Sequence, residues 1–298
     1  MTINELNEKF AISGVSFFSG KGELPMVKID NQYAHVVISL YGAHVISYQP
    51  KGQQDVFWMS EVSDFEAGKP IRGGIPVCFP WFGPHATDST KPQHGFGRLL
   101  TWNVKEVISL ASGETQIRLG LQSSDASKKY WSFDFSAEFT VIVGSKIDVT
   151  LSYTNTGSET FVVSDALHTY FNVSDIAKIG ITGLTGTKFY DYTEKEVPLK
   201  TDSLSSLPIA KEENRRYIDT AADCIITDEG FGRKIRMAKR GSNTTVVWNP
   251  WTNAKNIADI PDEGYKNYVC VEATNACNDL ITLGPKQSFC ISTIISVE

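Results

Sequence analysis

Two side chains of the types that proton-transfer chemistry uses stand out in this 298-residue chain, because both sit on apolar segments that would hold them firmly. His168 lies in Ser164-Asp-Ala-Leu-His-Thr-Tyr-Phe-Asn172, behind Phe161-Val-Val163. On a strand it shares a face with Ala166, Tyr170 and Asn172. An imidazole can donate and accept protons near neutral pH, but it can equally be a hydrogen-bonded core residue. Glu272 closes the apolar run Tyr268-Val-Cys-Val271. A carboxylate there is costly unless paired or neutralised, and burial raises its pKa and makes it a better base. The other reading of Glu272 is a partner for a cation at a sheet edge.

Cations bracket a third stretch, Ile71 to Arg98, which reads IRGGIPVCFPWFGPHATDSTKPQHGFGR. Pro76, Pro80, Pro84 and Pro92 break regular structure, while Gly73, Gly74, Gly83, Gly95 and Gly97 allow close backbone approaches. Phe79, Trp81, Phe82 and Phe96 give the same stretch core-like content, and a long loop of that kind is usually functional. Between Glu66 and Arg98, Lys69, Arg72, Lys91 and Arg98 outnumber Glu66 and Asp88, although the whole chain stands at −6. Guanidinium forks suit phosphate or carboxylate oxygens, and they also make structural ion pairs. The pair Trp248 and Trp251, around Asn249-Pro250, offers an apolar floor for a sugar ring or ordinary core, and Asn249 an amide for hydroxyls.

These groups need a rigid frame, and the rest of the chain reads as strands. Phe133, Phe135, Ala137, Phe139, Val141 and Val143 alternate with polar residues, and Ile147, Val149, Leu151 and Tyr153 repeat the pattern after Gly144-Ser145. Val36–Leu40 with the following YGAHVISY, Gln116–Leu121 and Phe289–Val297 add further strands. Helical periodicity is confined to a turn or two near Ser124–Tyr130, and Lys200–Asn214 reads as a polar surface loop. With no linker, repeat or charge block, residues 1–298 are expected to form a single all-β sandwich domain.

Composition narrows the class. Mild acidity argues against nucleic acid and anionic membrane partners. No apolar run reaches the roughly 18 residues of a membrane span. The start MTINELNEKF lacks a secretory pattern. Cys78, Cys224, Cys270, Cys277 and Cys290 lack CxxC spacing and read as mostly buried thiols. A cytoplasmic monomer with no metal site is the expectation.

The segments IRGGIPVCFPWFG, QHGFGR, ALHTYFNV, VVWNPW and VCVEATN, in this order, resemble the glucose-6-phosphate 1-epimerases of the aldose 1-epimerase superfamily. The resemblance covers roughly Val36 to the C-terminus. It implies a galactose-mutarotase-like β-supersandwich and an isomerase that interconverts the α and β anomers of a hexose 6-phosphate without a cofactor. It also implies His168 and Glu272 as catalytic residues, and Arg72, Gln93 and Arg98 as substrate- and phosphate-binding residues. His94 would line the same site. Where the family shows an aspartate in a DR-x-Y pattern, this chain has Asn214 in Asn214-Arg-Arg-Tyr217, with Asp219 and Asp223 as possible substitutes. The residue types fit that reaction. Glu272 would take the proton of the anomeric hydroxyl and His168 would protonate the ring oxygen. The alternatives are a non-catalytic carbohydrate- or sugar-phosphate-binding module, and an aldose 1-epimerase acting on free hexoses.

Overall fold

A computed structural model describes residues 1–298. Alternation in sequence becomes alternation in space. Phe135–Val143 and Lys146–Asn155 pair antiparallel, burying every second side chain. They lie within an eight-stranded antiparallel sheet whose spatial order is Ile179–Thr182, Cys224–Asp228, Arg233–Arg240, Ser288–Val297, Lys146–Asn155, Phe135–Val143, Thr115–Gln122 and Asn103–Ser109. A second eight-stranded sheet runs Leu199–Thr201, Lys188–Asp191, Glu213–Tyr217, Thr244–Asn249, Tyr268–Asn275, Asp165–Leu167 and Val77–Cys78, with Tyr170–Asn172 also paired to Tyr268–Asn275. A four-stranded meander over Val15–Pro50 and a short Phe161–Val163/Ile281–Leu283 pair complete the β-structure. The helices are short. Ile3–Phe10 starts on a capping box between Thr2 and Glu5, and Asp125–Lys128 is a single turn where the sequence suggested one or two.

One core cluster of 59 buried residues joins the two large sheets. Tyr268–Asn275 shows how the site is set against it. Val269, Val271 and Ala273 enter that core, whereas Tyr268 and Cys270 belong to a separate cluster with Tyr170. Period two places Glu272 on the second face. The strand is therefore buried on both sides, and Glu272 stands within it, not at its end, with the ladder running on to Asn275. The expected polar loop at Lys200–Asn214 is also part strand, since Leu199–Thr201 and Glu213–Tyr217 occupy its two ends.

The stretch Ile71–Arg98 supplies the last strand of the second sheet, Val77–Cys78, and is otherwise loop up to a short 3-10 turn at Gly97–Leu99. Gly73 has φ +110°, and a Cβ there would lie 2.4 Å from the Trp58 carbonyl oxygen. Gly95 has φ +70°, and its Cβ would lie 2.1 Å from that of Phe79. Only glycine allows both the angle and the approach. Buried His44 supports the first turn, with Nε2 2.7 Å from the Gly73 carbonyl oxygen. No helix is long and apolar enough to cross a membrane. All five cysteines are free; Cys78, Cys224 and Cys270 are buried, Cys277 is half-buried and Cys290 exposed.

Candidate active site

On the second face of that sheet, strand register sets two rows of side chains. Arg216 is the partner of Val246, and Val246 of Glu272. In the next row Asn214 faces Trp248, Trp248 faces Cys270 and Cys270 faces Tyr170. His168 falls in the break between Asp165–Leu167 and Tyr170–Asn172, both paired to the Glu272 strand. Its backbone N–H donates to the Pro76 carbonyl, and its ring stacks on Tyr170 with centroids 4.9 Å apart at 8°.

His168 and Glu272 are thereby brought together. Nδ1 of His168 lies 3.4 Å from Oε1 of Glu272, and the residues are 6% and 1% exposed. This is ion-pair range without hydrogen-bond geometry: Nδ1 and the glutamate Oε2 both lack a hydrogen-bond partner. Burial pushes the carboxyl well above its ordinary value, opposed by the charge of Arg216. Burial likewise pushes the imidazole well below its own, aided by His94, Arg72 and Arg98. Both shifts favour the neutral forms, a protonated carboxyl and an uncharged imidazole.

A cavity of about 320 Å³ opens over the pair, a size suited to a small polar ligand. Arg72, Gln93, His94 and Asn214 line it alongside His168 and Glu272, as do Phe82, Arg216, Trp248 and Ile257. The Arg72 guanidinium donates through Nε to Asp259 at 3.0 Å and through Nη1 to the Tyr170 hydroxyl at 2.8 Å. His94 has φ +61° and accepts from the Gly83 N–H at its Nδ1, so the neutral ring carries its proton on Nε2. Burial first, then the charges of Arg98, Arg72 and Arg216, lower its pKa to about 3.

Arg98 is placed differently from the other expected site residues. It is 9% exposed, does not line the cavity, and donates through Nη2 to the Gln93 carbonyl at 2.8 Å. Asp219 accepts from Asn278 and Asp223 pairs with Arg236, so of the three alternatives only Asn214 lines the cavity. Of the two tryptophans, Trp248 lines it while Trp251 packs on Tyr265. The Asn249 amide is committed to the Tyr265 and Tyr268 carbonyls, which removes it as a donor to ligand hydroxyls. Sequence reasoning missed Arg216, Asp259 and Ile257. A signal existed for Arg216, which shares a strand face with Asn214 two residues away; none existed for the other two, which lie on a loop.

His168, Cys270 and Glu272 are the one set whose possible metal-ligand atoms lie within 4.8 Å of one another. The Cys270 thiol is pushed well above its ordinary value by burial and by Glu272, and a protonated thiol is a poor ligand. A larger cleft of about 480 Å³, beside Phe57 and Trp58, has glutamates but no histidine.

Comparison with known proteins agrees with this architecture. Residues 25–296 match the family described as Aldose 1-epimerase. A protein of Escherichia coli K12 named "Putative glucose-6-phosphate 1-epimerase" is 36% identical over 256 residues, 85% of this chain and 84% of its own. One of the same name from Salmonella typhimurium LT2 is 34% identical with the same coverage. A Salmonella typhimurium crystal structure titled a "putative mutarotase" superposes with a TM-score of 0.89 at 29% identity, covering 99% of this chain and 98% of the other. The all-β supersandwich implied by the sequence resemblance is the architecture observed, and the chain belongs to the aldose 1-epimerase family.

Proposed function

We propose that this protein is an isomerase that interconverts the α and β anomers of a hexose 6-phosphate, with glucose 6-phosphate as the first substrate to test. The observation that carries this reading is the buried His168–Glu272 contact at the base of an arginine-lined cavity. Two relatives carry the name glucose-6-phosphate 1-epimerase, which supports the phosphorylated substrate.

In the reactive form the single proton of the pair has moved from Glu272 to His168. The transfer leaves the net charge of the pair unchanged and produces the base and the acid that the reaction needs. Glu272 then accepts the proton of the anomeric hydroxyl while His168 gives its proton to the ring oxygen. The bond from the anomeric carbon to the ring oxygen breaks, leaving an open-chain aldehyde. Rotation about C1–C2 presents the other carbonyl face, and reclosure returns both protons with the roles reversed. The step is redox-neutral, and the two groups supply the acid and the base it requires. Trp248 provides an apolar floor for the sugar's C–H face. Arg72, Gln93, His94 through Nε2–H, and Asn214 donate to its oxygens. Arg98 acts from behind, by holding the Gln93 backbone. We read the protein as a monomer of the cytoplasm, a reducing compartment that five unpaired cysteines suit.

The test is anomer-exchange NMR on glucose 6-phosphate and on free glucose, with and without the protein. Faster exchange on the phosphorylated sugar is the expected result. Equal acceleration of both substrates would indicate an epimerase of free hexoses, and binding without acceleration a carbohydrate-binding module.

A further inference from the structure

Arg72, Arg98 and Arg216 place their charge around this cavity, and they differ in what already occupies them. Arg72 is held by Asp259 and Tyr170. Arg98 is buried and donates to a backbone carbonyl. Arg216 lines the cavity, makes no ion pair, and its buried Nε has no hydrogen-bond partner. Its neighbour Arg215 sharpens the contrast. That side chain, on the opposite face of the strand, is consumed by Glu213, Asp202 and Tyr217.

Arg216 is nevertheless held in place. Its guanidinium carbon lies 3.8 Å from the ring centroid of Tyr192 and 5.2 Å from that of Phe82. Aromatic rings against a guanidinium face fix its plane and leave the edge N–H donors free to form a fork. A desolvated donor without a partner is costly, and a ligand oxygen would relieve that cost. Register adds the location. Arg216, Val246 and Glu272 are cross-strand partners in one row, so the backbones of Arg216 and Glu272 lie about 10 Å apart at the usual strand spacing. A ligand with its reacting carbon at the His168–Glu272 pair can extend toward Arg216.

We infer that Arg216 is the phosphate anchor and the specificity-determining residue of the site, an assignment that rests on the sugar-phosphate reading above. It grips the 6-phosphate by paired N–H donors, while the buried charge of Arg98 adds to the field without direct contact.

Wild type, R216M and R216K are compared by anomer-exchange NMR on glucose 6-phosphate and free glucose, with inorganic phosphate as a competing anion. Circular dichroism and thermal melts report folding. In R216M the ratio of kcat/KM between the phosphorylated and free sugar should narrow by about 10- to 100-fold, and the inhibition constant of inorganic phosphate should rise by a similar factor. R216K keeps a cation without the planar fork and should fall between the two; it carries the test if R216M does not fold. A wild-type preference for glucose 6-phosphate that survives undiminished in the variants overturns the assignment and leaves the sugar-phosphate reading standing. A wild type without any such preference overturns both.

Discussion

His168 and Glu272 acquire their reactivity from burial, and this makes their separate contributions measurable. H168A and E272Q should each lower kcat by about 10²- to 10⁴-fold while the sugar phosphate still binds, as expected of general acid–base groups. NMR exchange rates at saturating substrate, with titration for binding, provide the check; a folded variant that turns over near the wild-type rate would exclude that residue. The pH profiles separate the two roles further. The wild type needs one proton on the pair, so its kcat/KM is bell-shaped with limits that belong to both groups. In E272Q only His168 remains, and it must be protonated to act as acid. Burial lowers its pKa, so activity should fall as pH rises through a value below 6.5, with no acidic limb. In H168Q only Glu272 remains, and it must be ionised to act as base. Burial raises its pKa, so activity should climb with pH through a value above 4.5, with no basic limb. Identical bells in all three proteins would assign the titration to other groups.

At the scale of elements, legibility depended on how many faces an element buries. Phe135–Val143 and Lys146–Asn155 bury one face, so their alternation could be read directly. Tyr268–Asn275 is buried at all eight positions, so nothing in its pattern revealed that the ladder continues past Glu272. The same limit hid Arg216. Asn-Arg-Arg-Tyr places two arginines on opposite faces, and only cross-strand register tells which one meets the cavity. In the Ile71–Arg98 loop, the glycines and aromatics announced a built structure. The direction of each arginine depended instead on backbone turns that no periodicity encodes. Gly95 controls one of those turns, next to His94. G95A places a methyl group against the Phe79 carbonyl at φ +70°, a clash that cannot relax without moving the loop. It should destabilise the protein by about 1–3 kcal/mol or more, lowering Tm by several degrees, and reduce exchange on phosphorylated and free sugar alike. An unchanged Tm in G95A would mean that the loop has a second way to close.

At the scale of the whole molecule, buried groups of opposite sign set how stability responds to acid. His44, fully buried beneath the Gly73 turn, has its pKa lowered to about 4 by desolvation. Between pH 6.5 and 4 the unfolded chain protonates at this site and the folded chain does not, so stability falls as pH drops. Asp165 has its pKa raised to about 7, again mainly by desolvation. It joins the two large sheets, accepting from the Tyr153 hydroxyl at 2.7 Å and from the Asn275 amide at 2.9 Å. Between pH 3.8 and 7 the folded chain keeps a proton here that the unfolded chain has lost, so stability falls as pH rises. Each slope is about 1.4 kcal/mol per pH unit, and where the windows overlap they cancel. Within the His168–Glu272 pair, one depressed base and one elevated acid oppose each other in the same way. Single substitutions should expose the hidden slopes. H44Q keeps a donor for the Gly73 carbonyl and removes the titration, so its stability should decline by about 3 kcal/mol as pH rises from 4 to 6.5, relative to the wild type. D165N keeps a polar group between the sheets, and the partnerless Asn275 Oδ1 can accept from the new amide. Relative to wild type, its stability should rise with pH by a similar amount over the same interval. Urea melts at half-unit steps across this range measure both slopes, and parallel curves for wild type and either variant would remove that residue from the balance.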